Sequence, residues 1–155
     1  MTKKILITGG GGFVMNIQEL ETVRRLNLPI KFFVLNNNGY VSIRNTQASH
    51  FDSNFVASDE SSGLSIPNIQ KNAFAYDIPY FRIKNHNNIH LLIKQFLQIK
   101  GPAICEVILP STHVTAPKAS VYKKKDGSFA ARPMEDLAPF LDRDEFEKNM
   151  NIDDL

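Results

Sequence analysis

The sequence predicts an α/β domain of three layers, with helices on both sides of a doubly wound, mostly parallel sheet. Three observations carry that prediction. Short apolar runs rich in β-formers alternate with segments of helical periodicity along residues 3–109. Two of those runs, Ile30 to Leu35 (IKFFVL) and Ala103 to Leu109 (AICEVIL), are nearly continuous, as strands buried on both faces must be. Clusters of glycine and asparagine follow the first two runs, at the strand ends where open α/β sheets bind ligands.

Lys3 to Thr8 (KKILIT) reads as a strand that ends at the four glycines Gly9 to Gly12 in a tight turn. Beyond Asn16, the residues Ile17, Leu20, Val23 and Leu26 recur at three-residue steps between charged neighbours. That spacing predicts an amphipathic helix ending near Leu28-Pro29. Ile30 to Leu35 completes a β-α-β unit, and Asn36 to Tyr40 (NNNGY) is a loop whose residue types tolerate left-handed backbone. Ser42 to Gly63 is polar and reads as an irregular connection. A helix over Pro67 to Tyr76 and a strand over Pro79 to Ile83 follow. Next comes a helix capped by Asn88, with Ile89, Leu92, Ile93, Phe96 and Leu97 on its apolar face and Gly101-Pro102 at its close. Residues 1–110 thus form the domain, and 111–155 a tail with a Lys123 to Gly127 turn and a short charged helix over Asp142 to Met150. No internal repeat is present.

Composition narrows the function classes. At 155 residues, 43% hydrophobic and 22% charged, the chain suits a single globular domain and excludes disordered and fibrous classes. Eighteen Lys plus Arg against 16 Asp plus Glu leave a net charge of +2 with no basic stripe, so no nucleic-acid partner is expected. A single cysteine and no signal-like segment point to a reducing compartment, the cytoplasm, and no apolar run is long enough for a membrane span. His86 and His90 lack a third zinc ligand at suitable spacing. Cys105, inside a buried run, reads as a small hydrophobe. Glu106 on the opposite face is either a functional polar group or a solvent position at the sheet edge.

The glycine run admits two functional readings beside the plain one of a strand-to-helix turn. Met1 to Phe13 (MTKKILITGGGGF) resembles the opening of the NAD-dependent sugar epimerases and dehydratases, whose pattern is T-G-x-x-G-x-x-G. Thr8, Gly9 and Gly12 fit. Met15 occupies the third glycine, and Asn36 to Asn38 stand where a ribose-binding acid is needed.

The second resemblance covers residues 9 to 110. Gly11 to Tyr40, Ser42 to Gln47 (SIRNTQ), Ala75 to Pro79 (AYDIP) and Gly101 to Val107 (GPAICEV) closely resemble the C-terminal, pyrophosphate-binding domain of thiamine diphosphate enzymes of the acetolactate synthase type. Pro133 to Leu137 matches more loosely. The resemblance implies thiamine diphosphate and Mg²⁺ as cofactors, with cofactor contacts at Gly9, Gly11, Gly12, Asn37, Gly39 and Tyr40. It implies metal ligation by the Asn37 side chain and the Gly39 carbonyl, and an acceptor pocket that includes Ser42 and Thr46. Biosynthetic members carry Met and Trp at those two positions, so a different acceptor is expected here. The SIRNTQ run looks more like the thiamine enzymes of sugar and polysaccharide pathways.

One position departs from the pattern. The family's Gly-Asp-Gly carboxylate falls on Gly10, 27 residues before Asn37. Loss of the only charged ligand leaves two neutral oxygens for a hard divalent cation. A tenfold to hundredfold fall in metal affinity, about 1.4 to 2.8 kcal/mol, is expected, with both cofactors bound weakly. The family's activity is decarboxylation of a 2-oxo acid followed by carboligation, with the activating glutamate on a separate pyrimidine-binding domain. A partner chain or homo-oligomer is therefore expected, and the isolated chain is expected to be inactive. The join of an epimerase-like leader to a thiamine-enzyme body reads as a hybrid or truncated frame. Three functions follow: a cofactor-binding domain that works with a separate pyrimidine-binding chain, a degenerate dimerisation or regulatory module, and a nicotinamide-dependent sugar enzyme fragment.

Overall fold

The structure is a computed structural model describing residues 2–113 and 116–151. It divides into two compact units, residues 1–113 and 114–155. In the first, strands β1 (Lys4–Gly9), β2 (Ile30–Asn36), β3 (Tyr80–Ile83) and β4 (Ala103–Ile108) form one sheet in the order β1-β2-β4-β3. Every pairing is parallel. The expected mostly parallel α/β sheet is thus the one observed.

Alternation along the central strands divides the core in two. Phe32 and Val34 of β2 and Ile104 of β4 face one way. There they meet Phe13 of α1 (Gly10–Val14), Leu20 and Val23 of α2 (Glu19–Arg25), and Ile69 and Ala73 of α4 (Ile69–Ala75). On the opposite face, Ala103 and Cys105 of β4 pack with Ile83 and with Phe96 of α5 (Ile89–Gln98). Cys105 lies between Phe33 and Phe81 in register, and both rings contact Phe96, at centroid distances of 4.9 and 5.7 Å. A small residue on the central strand makes room for the three rings. The thiol has no solvent exposure, and burial pushes its pKa up to about 11, as suits the hydrophobe expected from sequence.

Three local expectations change. Gly10 to Gly12 are the first residues of a helix rather than a tight turn. The stretch expected to be irregular contains helix α3 (Val41–His50) and a 3-10 turn over Glu60–Ser62. Helix α3 buries no residue, so no apolar stripe marks it in the sequence; polar contacts hold it instead. The Gln47 amide donates to the Val56 carbonyl at 2.9 Å, and Arg44 pairs with Asp59 while its guanidinium lies 3.9 Å over the Phe55 ring. Asn88 precedes α5 in left-handed backbone and makes no capping bond.

In the second unit, β5 (Val121–Lys123) and β6 (Phe129–Ala131) form an antiparallel hairpin around the expected lysine-rich turn. Asp142 caps α6 (Arg143–Met150) by accepting from the amides of Asp144 and Glu145. Asp136 is buried between Arg143, at 3.0 Å, and Arg132, at 3.5 Å.

Lys31, at the start of β2, is fully buried, and its ammonium donates to the Gly101 carbonyl. Burial, and next the charge of Lys3, hold its pKa below the ordinary lysine value. The fold therefore disfavours the charged form. That penalty is complete below the lowered pKa and fades as pH rises through it toward the unfolded value of about 10.4. In urea titrations, the unfolding free energy of Lys31→Met minus that of wild type is expected to fall between neutral pH and about pH 10. A difference that stays constant or grows would contradict this.

Candidate functional site

Parallel pairing brings the carboxyl ends of β1, β2 and β4 to one edge of the sheet. Gly9 pairs with Leu35 and Asn36 with Ile108, so the glycine run and the asparagine loop leave neighbouring strands side by side.

Gly9 precedes α1 in extended backbone, and no side chain caps the first turn. The opening amides of a helix lack intrahelical partners and attract anions. Added side chains would meet different surroundings at the three glycines that follow. A Cβ on Gly11 would stand 2.4 Å from Cε1 of Tyr40, so the Tyr40 ring lies against the start of the helix. On Gly12 it would meet the Thr8 hydroxyl at 3.2 Å. On Gly10 it would lie 3.6 Å from both Asn36 Oδ1 and the Leu35 carbonyl, ordinary contact distances. Gly10 therefore has room for a Cβ beside the end of β2.

The second loop is held from both sides. Asn36 Oδ1 accepts from the Asn38 amide at 2.9 Å, closing an Asx turn in which Asn38 takes φ 58°. Gly39 bridges to Asp59, and the Tyr40 amide donates to the Ser58 carbonyl at 2.8 Å. A Cβ at Gly39 would stand 2.6 Å from that same carbonyl, which requires glycine there. Asp59 accepts from Ser61 and Ser62, and these bonds with the Arg44 charge hold its carboxyl below the usual aspartate range. Half-buried Asn37 makes no side-chain hydrogen bond among the described residues, leaving its oxygen available to a ligand.

Glu106 lies beneath this loop on β4, with 3% exposure. Its Oε1 accepts from Asn36 Nδ2 at 2.6 Å. Its Oε2 accepts from the Tyr80 hydroxyl and, at 2.8 Å, from Arg82 Nε. Burial would raise the carboxyl pKa, but Tyr80, Asn36 and Arg82 together outweigh it and hold the group below the ordinary glutamate value. Of the two sequence alternatives for Glu106, the solvent position is excluded. The network itself escaped sequence reading, whose only trace of it was one carboxylate inside an otherwise apolar run.

Ser42 and Thr46 lie one turn apart on α3, where the Thr46 hydroxyl donates to the Ser42 carbonyl at 3.0 Å. Both line an open groove of about 350 Å³ with Ile43, Gln47 and Phe51. Among the described residues no three His, Cys, Asp or Glu gather as a metal cluster, and His86 and His90 acquire no third partner of those types. Nor is any described helix long and apolar enough to cross a membrane.

Residues 2–107 match the family described as thiamine pyrophosphate enzyme, C-terminal TPP binding domain. The chain belongs to this family. The match begins at residue 2, so β1 lies within it. Over 108 residues the thiamine pyrophosphate (TPP)-binding domain is 33% identical to acetolactate synthase 2, chloroplastic, of Zea mays, covering 67% of this chain and 17% of that protein. Over 105 residues it is 32% identical to the acetolactate synthase large subunit of Porphyra purpurea, covering 66% of this chain and 18% of that one. The TPP-binding domain is thus of the acetolactate synthase-like kind and spans under a fifth of the length of these curated relatives.

The glycine contacts give a direct check. Gly10→Ala is expected to leave stability within about 0.5 kcal/mol of wild type. Gly11→Ala, which drives a methyl into the Tyr40 ring, is expected to cost about 1 to 3 kcal/mol. Urea denaturation of both variants decides it, and equal stabilities would remove the Tyr40 contact.

Proposed function

We propose that this chain supplies the diphosphate- and Mg²⁺-binding half of an acetolactate synthase-like enzyme acting on a 2-oxo acid, and that Gly10 weakens its hold on the metal. The observation that carries the reading is the pairing of the uncapped α1 start with the Asn36–Tyr40 loop on adjacent strand ends. When bound, thiamine diphosphate supplies the electron sink that lets a 2-oxo acid lose carbon dioxide and add to an acceptor carbonyl. The chain's own residues bind and orient it. Backbone amides of Gly9, Gly11 and Gly12 at the start of α1 suit the phosphates, with open space beside Gly9 and the Tyr40 ring standing against Gly11. Asn37 Oδ1 and the Gly39 carbonyl suit a hard cation, whose remaining positions fall to phosphate oxygens and water. The donor set fits the diphosphate well; for the metal it offers neutral oxygens alone.

Ser42 and Thr46 front the acceptor, and their small hydroxyl side chains favour a polar one. Activity requires a pyrimidine-binding domain from another chain or another part of a homo-oligomer, and the buried single thiol Cys105 suits the cytoplasm.

Calorimetric titration with thiamine diphosphate, with and without Mg²⁺, tests the reading on wild type and on Gly10→Asp. Weak binding by wild type and a Mg²⁺-dependent gain of about tenfold to hundredfold in Gly10→Asp are expected. Gly10→Asp that folds as wild type does yet binds with no Mg²⁺ dependence would overturn the metal assignment. Absence of binding by both, in folded protein, would favour the degenerate, non-catalytic module, the reading to which Gly10 also points.

A further inference from the structure

Glu106 has no part in the chemistry above, yet it sits where the loop needs an anchor. We propose that Glu106 is a positioning residue that sets the shape of the Asn36–Tyr40 loop through Asn36; its relevance to cofactor binding, though not its geometry, rests on the function just proposed.

The chain of contacts is short and directional. Asn36 has one amide, and each end of it does a separate job. Nδ2 donates to Glu106 Oε1 at 2.6 Å, and Oδ1 accepts from the Asn38 amide at 2.9 Å. The first bond fixes the plane of the amide, and that plane dictates where the second acceptor points. The Asx turn it closes sets the backbone that carries the Asn37 side chain and the Gly39 carbonyl. Glu106 is itself fixed from the other side by the Tyr80 hydroxyl and Arg82 Nε on β3. The Leu109 amide adds a tie by donating to the Asn36 carbonyl at 2.8 Å. Three parallel strands thus converge on one loop.

A carboxylate suits this role because it accepts from three donors and competes for none. With Gln in its place, the amide would present either its oxygen or its nitrogen to Asn36, never both acceptors. Amide orientation at Asn36 would then lose its determinant, while the apolar packing of β4 would be untouched.

The polarity of the link supplies a test that packing alone cannot pass. In Asn36→Asp the donor becomes an acceptor facing Glu106, and in Glu106→Gln an acceptor can become a donor. Combined, the two substitutions restore one donor and one acceptor in reversed order, with the new glutamine oxygen still open to Tyr80 and Arg82. Amide hydrogen exchange at Asn38, read by NMR on the free protein, reports the turn with no cofactor present. Each single variant is expected to speed that exchange about tenfold, and the double variant to return it to within about threefold of wild type. The amides of Val34 and Ile104 should remain protected throughout.

Unchanged Asn38 exchange in Glu106→Gln, or a double variant no slower than the singles, would overturn the proposal. If Glu106→Gln fails to fold, Asn36→Asp alone decides: it keeps the Oδ1 acceptor, so unchanged exchange there equally overturns it. In the Gly10→Asp background, Mg²⁺-dependent affinity for thiamine diphosphate is expected to fall in the singles and recover in the double. Failure of all variants to bind, with the exchange pattern as expected, would count against the proposed function and leave the positioning role standing.

Discussion

Everything at the candidate site depends on parallel strand pairing. Parallel strands end at the same edge, so β1, β2 and β4 deliver their following segments to one place without any long-range design of the loops themselves. The central strands of that sheet are covered on both faces: Phe32 and Val34 meet α1, α2 and α4, while Phe33 and Cys105 meet Phe96 of α5. Burial of the central strands and convergence of the loops are two results of one arrangement.

The strands were legible because their signal is local. Ile30 to Leu35 and Ala103 to Leu109 are apolar at every step or nearly so, and only a strand covered on both sides tolerates that in so short a run. The same holds for α5, whose apolar residues, Phe96 among them, repeat at helical spacing. Helix α3 was illegible for the converse reason. It buries nothing, and its supports, Asp59, Phe55 and Val56, lie beyond its end, nine or more residues from the Arg44 and Gln47 side chains they hold. The glycine run misled in a subtler way: four glycines favour a turn by propensity, but packing of Phe13 into the core draws Gly10 to Gly12 into a helix.

Within the site, resemblance to a family marked the loops, but it could not reveal what supports them. Gly39 and Tyr40 were expected as cofactor contacts; that Gly39 must be glycine because the Ser58 carbonyl lies so near is a fact of tertiary structure. The resemblance marks Asn37 rather than its neighbour Asn36, though Asn36 carries the hydrogen bonds. Its partner Glu106 comes 70 residues later, beyond the reach of any periodicity. Buried polar groups of this kind are selected for fixed geometry, since a lone carboxylate in a core is costly unless every oxygen is satisfied.

Gly10 adopts ordinary helical backbone with space at its Cβ position. The scaffold around it thus accepts a Cβ without a clash. Glycine and aspartate codons can differ by a single base, so a lineage carrying this fold can exchange the two residues in one mutational step with no backbone strain at that position. At the metal site proposed for this edge, affinity would therefore be a trait that evolution can alter by changing one residue of the helix start.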